Sequence, residues 1–337
     1  MEQMVDNSNT KDLKDSITDV PGVKVGHSQD LTGGTGCTVV LFEEGAVTGV
    51  DVRGGAPGTR ETDALNPVNL VGKAHAIYLS GGSAFGLDGT AGVMRYMEEL
   101  GIGFDVGVTK VPIIPAAVLF DLTVGDFRTR PDAKMGYEAC LNANEINDSQ
   151  GNIGAGTGAT IGKVLGYEFC MKSGLGTASL QCGDLIIGAI VAVNCFGDVY
   201  DPHCGKIIAG ALSHDRKSFL DTIAYLKNPS LPENNHEQFP ANTTIGAIAT
   251  NAKLTKAEAT KIAMMAHNGF ARTIVPVHTM FDGDTIFCSG TGKIDASVNL
   301  IGILAAEVMI NAVINAVKNT KPLFGLPCYQ DLYKEKQ

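Results

Sequence analysis

Two runs of this chain, Leu185 to Val193 and Ile245 to Ala249, carry no polar side chain at any position. Runs of this length read as strands, and a strand apolar on both faces has to be covered on both, so each belongs inside a sheet with material packed above and below it. Further short apolar runs at Val39 to Phe42, Ala46 to Val52 and Ala76 to Leu79 read as core strands. The covering layers are legible too. Val298 to Val317, in which Glu307 is the only charge, predicts a helix buried against the sheet or against another subunit. Ser80-Gly81-Gly82-Ser83 passes from a strand into an apolar-faced helix, Ala84 to Leu100, closed by Gly101. Thr255 and Glu258 form a capping box that opens a helix to about His267, with Asn268-Gly269 as its stop. Forty-one glycines and no tryptophan suit a layered α and β enzyme with many close backbone approaches.

Composition sets the outer limits. With 337 residues, 44% of them hydrophobic, the chain can bury one large core, and residues 17–337 are expected to form a single catalytic domain behind a polar tail, residues 1–16. A net charge of -10 with scattered lysines and arginines gives no footprint for nucleic acid or for an anionic membrane surface. The eight cysteines form no Cys-x-x-Cys pair and follow no apolar leader, which points to reduced thiols in a soluble cytoplasmic protein. The seven histidines show no metal-ligand spacing, so neither a metal nor a cofactor is expected, and His267 and His278 read as structural.

Several motifs invite chemistry and are refused by their own spacing. Gly154 to Gly162 followed by Lys163 looks like a phosphate loop, but Thr157 stands where its first glycine belongs and Val164 where its hydroxyl belongs. The dinucleotide pattern survives only as Gly154-x-Gly156-x-x-Ala159, and Asn144 to Gln150 are too polar for the strand it must follow. Ser80 to Gly86 fails as a nucleophile elbow because Phe85 occupies its second glycine position. What remains is a set of separated residues. A linker rich in proline and asparagine, residues 227–242, ends at Asn242, and Thr243 then opens an apolar strand. A cut between Asn242 and Thr243 would give Thr243 both a hydroxyl and a free α-amine, the arrangement of a threonine activated by its own N-terminus. Asp282-Gly283-Asp284 has an ordinary reading as a hairpin turn, yet two carboxylates one residue apart can also orient an ammonium or a hydroxyl. Asn194 closes the Leu185 run and is either a turn former or an amide aimed at an oxyanion, while Lys163 can enter a site as a charge.

Together these residues resemble the family of DmpA-type L-aminopeptidase/D-esterases, β-peptidyl aminopeptidases and nylon-oligomer hydrolases. The likeness covers nearly the whole chain after the tail. It is carried in order by Asp19 to His27, Asp51 to Gly58, Leu79 to Gly86, Pro115 to Asp121, Gly154 to Gly158, Asn242 to Ile245 and His278 to Thr285. The resemblance implies a four-layer αββα sandwich and a precursor that cuts itself into chains 1–242 and 243–337, assembled as a homo-oligomer such as a tetramer of αβ units. It implies Thr243 as nucleophile, with Asn194, Lys163, Asp282 and Asp284 beside it, acting on small peptides, amino-acid amides or amide oligomers. Aspartates at both acidic positions, with a threonine nucleophile, are more similar to the nylon-oligomer branch than to the branch using serine and glutamate. One departure falls at the substrate side of the site, where Phe120 replaces a tyrosine and no phenolic hydroxyl is available. Two other readings accompany this one: an acyltransferase of the ornithine acetyltransferase type, and an uncut metabolite-binding homologue.

Overall fold

The computed structural model describes residues 13–228 and 242–333. Most of the expected linker and the first twelve residues of the expected tail therefore lie outside the described residues. The last tail residues are tied in: Asp15 accepts from Ser179 N at 3.0 Å, and Ser16, fully buried, donates to Asn147 O at 2.6 Å.

Among the described residues nine strands build the main sheet: β1 (Lys24–Asp30), β2 (Thr35–Val52), β3 (Gly58–Arg60), β4 (Ala74–Ser80), β5 (Ala116–Val118), β6 (Leu175–Cys182), β7 (Leu185–Asn194), β8 (Thr243–Ala252) and β9 (Thr285–Ile294). Their order is β6-β7-β8-β9-β2-β4-β5-β3, with β1 paired to β2. The two apolar runs that carry no polar side chain are β7 and β8, both interior as their sequence requires. The runs Val39 to Phe42 and Ala46 to Val52 are one long strand, β2. Its first half pairs with β1 and β4 and its second half with β9, so the sheet turns across it, with a register shift between Leu41 and Ala46.

Three apolar cores separate four layers, and period-two alternation decides which side chain enters which. Ile186, Ile190 and Ala192 of β7 and Ile245, Ala247 and Ala249 of β8 face Val40, Phe42, Ile77 and Leu79 in the core between the two halves of the sheet. The alternate β7 residues Ile187, Ala189, Val191 and Val193 face outward to helices α3 (Lys256–Thr273) and α4 (Val298–Lys318). Across the molecule Val39, Leu41, Ala76 and Tyr78 face Val93 and Met97 of α1 (Gly89–Glu99) and Ala139 of α2 (Ala133–Leu141). This is the expected αββα sandwich.

Helix α4 is long and apolar enough to cross a membrane, but most of it is buried inside the protein, against β6, β7 and α3. Helix α3 opens on the expected capping box, with Thr255 and Glu258 each bonding the other's backbone. It does not stop at Asn268-Gly269 but continues to Thr273. A Cβ at Gly269 would lie 2.8 Å from Ala306 O and from Met309 Cβ, so this glycine serves close helix packing, not termination. The helix expected from Ala84 begins as a 3-10 turn, Ser83–Asp88, and becomes α-helical only at Gly89.

Candidate active site

The ends of β7 and β8 meet with Asn194 directly opposite Thr243, so both side chains project to the same face. Both are buried, Thr243 at 4% exposure. The Thr243 hydroxyl hydrogen-bonds the carbonyl oxygen of the residue before it, Asn242. One backbone donor serves both atoms of this pair: Gly283 N–H lies 3.0 Å from Thr243 Oγ1 and 3.2 Å from Asn242 O. A Cβ at Gly283 would sit 2.7 Å from Thr243 Oγ1 and 2.9 Å from Ala56 O, so the approach requires glycine.

The acidic pair is not a hairpin turn. Residues 276–284 lead as a loop into β9, which runs parallel to β8 with Asn242 opposite Asp282 and Ile245 opposite Thr285. An unbroken parallel ladder in this register would take Thr244 N–H to the Gly283 carbonyl. Instead Thr244 N–H donates to Asp284 Oδ1 at 2.7 Å, and the Gly283 carbonyl accepts from Thr285 Oγ1 at 2.9 Å. The other Asp284 oxygen accepts from His278 N at 3.1 Å and His278 Nδ1 at 2.9 Å. Asp282 Oδ2 accepts from Thr279 N at 2.7 Å and Thr279 Oγ1 at 2.6 Å. Burial, and then the neighbouring Asp284 charge, push the Asp282 carboxyl above its ordinary range. The motif Asp51 to Gly58 braces this loop from outside, through Arg53 N to Asp284 O at 2.9 Å and Ala56 N to Asp282 O at 2.8 Å.

On the opposite side Lys163 holds Asn194. Its buried ammonium donates to Asn194 Oδ1 at 2.9 Å and to the carbonyls of Thr160, Asn194 and Cys195. Burial lowers the Lys163 pKa to about 8. Thr160 N–H also donates to Asn194 Oδ1, at 3.1 Å, so the amide orientation is fixed by three groups around its oxygen. Asn194 Nδ2 then donates to Phe120 O at 2.9 Å, which leaves its second N–H for the face shared with Thr243. Phe120, half-buried, thus enters the site through its backbone carbonyl.

The structure therefore gathers every residue singled out in the sequence: Asn242, Thr243, Asn194, Lys163, Asp282, Asp284 and Phe120. It adds four. Gly283 contributes a backbone donor, for which the glycine between two acids was the available signal. Thr279 holds Asp282. His278, which reads as structural in the sequence, holds Asp284 from a left-handed backbone, φ +58°. Lys172, fully buried with its pKa lowered to about 7, ties the Gly-rich segment through Gly156 O and Ala159 O, and nothing in its local sequence marks it. No cluster of three or more metal-ligating side chains occurs among the described residues.

Comparison with known proteins settles the family. The model of peptidase family S58 matches residues 15–326. The chain belongs to peptidase family S58. Within that family it is 42% identical to a Mycobacterium tuberculosis protein named an uncharacterized aminopeptidase, over 94% of this chain and 98% of that one. It is 32% identical to a 6-aminohexanoate-oligomer endohydrolase of a Kocuria species, over 89% of this chain and 85% of the relative. Among solved structures, a Burkholderia β-aminopeptidase superposes with a TM-score of 0.69 at 20% identity, covering 95% of this chain and 94% of that one. The L-aminopeptidase D-Ala-esterase/amidase of Ochrobactrum anthropi, a variant of the Ntn hydrolase fold, gives 0.70 at 18% identity over 93% and 88%. This S58 chain is accordingly a hydrolase of peptide or amide bonds, on the fold those two structures share.

Proposed function

We propose that the chain is a self-processing amide hydrolase that cuts itself between Asn242 and Thr243 and then uses Thr243 as an N-terminal nucleophile. One observation carries this reading: the Thr243 hydroxyl is buried against the carbonyl of its own preceding peptide, with Gly283 N–H shared between them. In the first reaction Oγ1 bonds to the Asn242 carbonyl carbon and the carbon–nitrogen bond to Thr243 breaks. The hydroxyl proton ends on the released nitrogen. Gly283 N–H stands at the carbonyl oxygen where negative charge develops. Water then hydrolyses the ester, leaving a carboxylate on Asn242 and a free amine and hydroxyl on Thr243.

In the cut enzyme the Thr243 α-amine, with a reference pKa of roughly 7.7–8.0, accepts the hydroxyl proton near neutral pH. The free N–H of Asn194 joins Gly283 in stabilising the tetrahedral oxyanion, and Lys163 keeps that amide turned the right way. Asp284 fixes the first peptide of β8 through Thr244 N–H, and Asp282 stands opposite Asn242, next to the bond to be cut. The names of the relatives favour small peptides, amino-acid amides and amide oligomers as substrates. Phe120 makes the substrate wall here apolar and without a hydroxyl.

Intact mass of the denatured protein tests the reading. Two species of residues 1–242 and 243–337, absent from Thr243→Ala, support it. Efficient cleavage at this bond in Thr243→Ala overturns it.

A further inference from the structure

His278 stands beside the site with three features that a packing residue does not need. It is a non-glycine residue at φ +58°, a conformation uncommon outside glycine though more open to histidine than to most side chains. Both its backbone N–H and its ring Nδ1 reach the same Asp284 oxygen, at 3.1 and 2.9 Å. Its other ring nitrogen, Nε2, is buried without a hydrogen-bond partner among the described residues. The ring is held by contact with His267, whose centroid is 4.8 Å away at 73°, and with Phe270 at 6.4 Å. His267 in turn is fully buried and donates Nε2–H to the Asp51 carbonyl at 3.1 Å.

We propose that His278 is a positioning residue for the reaction at Thr243: its Nδ1–H and backbone N–H clamp one Asp284 oxygen so that the other holds Thr244 N–H. The inference rests on the reading of Thr243 as the nucleophile. The left-handed backbone makes the clamp possible, because it folds residue 278 back until its amide and its ring converge on one oxygen. Asp284 is an acceptor on both sides, with three N–H donors among the described residues, which suits a carboxylate. The Thr244 bond replaces the ladder bond that would otherwise fix the peptide following the nucleophile. Loosening the carboxylate therefore loosens Thr243 against Gly283 N–H, and with it the attack geometry. A displacement of this kind in a positioned reactant is enough to slow a reaction ~100-fold. His278 itself touches neither the scissile carbonyl nor the hydroxyl.

Two substitutions separate the clamp from the backbone. Glycine adopts a left-handed backbone without strain, so His278→Gly removes the ring donor and leaves the turn intact. Asparagine tolerates the same backbone and carries an amide N–H close to the place of Nδ1, so His278→Asn restores the donor without restoring Nε2. The readout is the rate at which freshly translated full-length chain converts to 1–242 and 243–337, followed by intact mass, with thermal midpoints compared in a Thr243→Ala background. Self-cleavage is expected to fall ~10- to 100-fold in His278→Gly, the size of one lost charge-assisted hydrogen bond, and to return to within ~3-fold of the parent in His278→Asn. A parental rate in His278→Gly overturns the clamp, as does His278→Asn remaining as slow as His278→Gly at an unchanged thermal midpoint. If Thr243→Ala is itself cut at this bond, the Thr243 reading falls and takes this inference with it; if Thr243→Ala blocks the cut while the His278 variants are indifferent, only the clamp falls.

Discussion

The parallel pair of β8 and β9 has two ends built on opposite rules. From Ile245 to Thr250, opposite Thr285 to Gly290, the pairing is regular, and Ile245, Ala247, Ala249 and Phe287 are buried in the core between the sheet halves. From Asn242 to Thr244, opposite Asp282 to Asp284, a carboxylate replaces one ladder bond and a glycine amide is shared by a hydroxyl and a carbonyl. The buried Asp282 is pushed up in pKa there, and a histidine takes a left-handed backbone. The regular end fixes the register and supplies stability. The broken end uses that register to hold groups in positions they would not choose alone, as sites with catalytic geometry do when local rules are set aside.

Removing the hydroxyl is the most severe way to break the contrast. Thr243→Ala is expected to stay a single chain and to lose amide hydrolysis by at least ~10,000-fold, while its fold persists, because the methyl and hydroxyl of one residue contribute little to the regular end. Electrophoresis and turnover of amino-acid amides check this, and a cut chain or retained turnover would move the reactive centre elsewhere. Gly283→Ala comes next. Its Cβ would press on Thr243 Oγ1 and Ala56 O, displacing the shared donor, and self-cleavage should slow about 100- to 1,000-fold, the effect of losing one oxyanion donor. Time-resolved mass of freshly translated chain reads the rate.

At the regular end the expected result is reversed. Phe287→Ala empties a fully buried position that faces Val40 and Ile245 in the inter-sheet core, and should cost about 3–5 kcal/mol of stability. Urea unfolding in the Thr243→Ala background, where the chain stays single, measures that loss. The same substitution in the self-cleaving chain should leave the cut at Asn242 nearly as fast as in the parent. If Phe287→Ala blocked cleavage in chains that still fold, the division of labour between the two ends would be wrong.

This division also decides what was legible. The regular end was plain in the sequence because unbroken apolarity in β7 and β8 admits only interior strands, and the αββα layering followed from the resemblance. The site residues Thr243, Asn194, Lys163, Asp282 and Asp284 were named from motif order, and the structure brings them to one place. Their bonds were not legible. Asp284 could have faced the nucleophile directly, yet it reaches Thr244 N–H and His278, because the choice depends on how the 276–284 loop meets β8 across 40 residues of sequence. Lys172 lay hidden because its partners are backbone carbonyls of Gly156 and Ala159, which carry no side-chain signal. The stop expected at Gly269 failed for a related reason: glycine at a helix end and glycine at a helix crossing look alike until the second helix is in place.

The smallest predicted effect tests the electrostatic cost of the broken end. The Asp282 carboxyl is raised to about 6, first by burial and then by Asp284. Between its unfolded value near 3.9 and that folded value, the folded state binds the proton that the unfolded state has released, so stability falls as pH rises through this window. Asparagine mimics the protonated acid, and its single carbonyl oxygen has two lone pairs for Thr279 N–H and Oγ1–H. Asp282→Asn should therefore gain on its parent as pH rises from 4 to 7, by about 1–3 kcal/mol in total, the range reflecting titration shared with Asp284. Urea midpoints of the two proteins in the Thr243→Ala background, taken at half-unit intervals of pH, give the difference. The deficit of Phe287→Ala over the same interval should stay constant, since no titrating group is involved. A variant that instead loses ground as pH rises would mean that Asp282 is held ionised by Thr279, and that the broken end stabilises charge where burial says it should resist it.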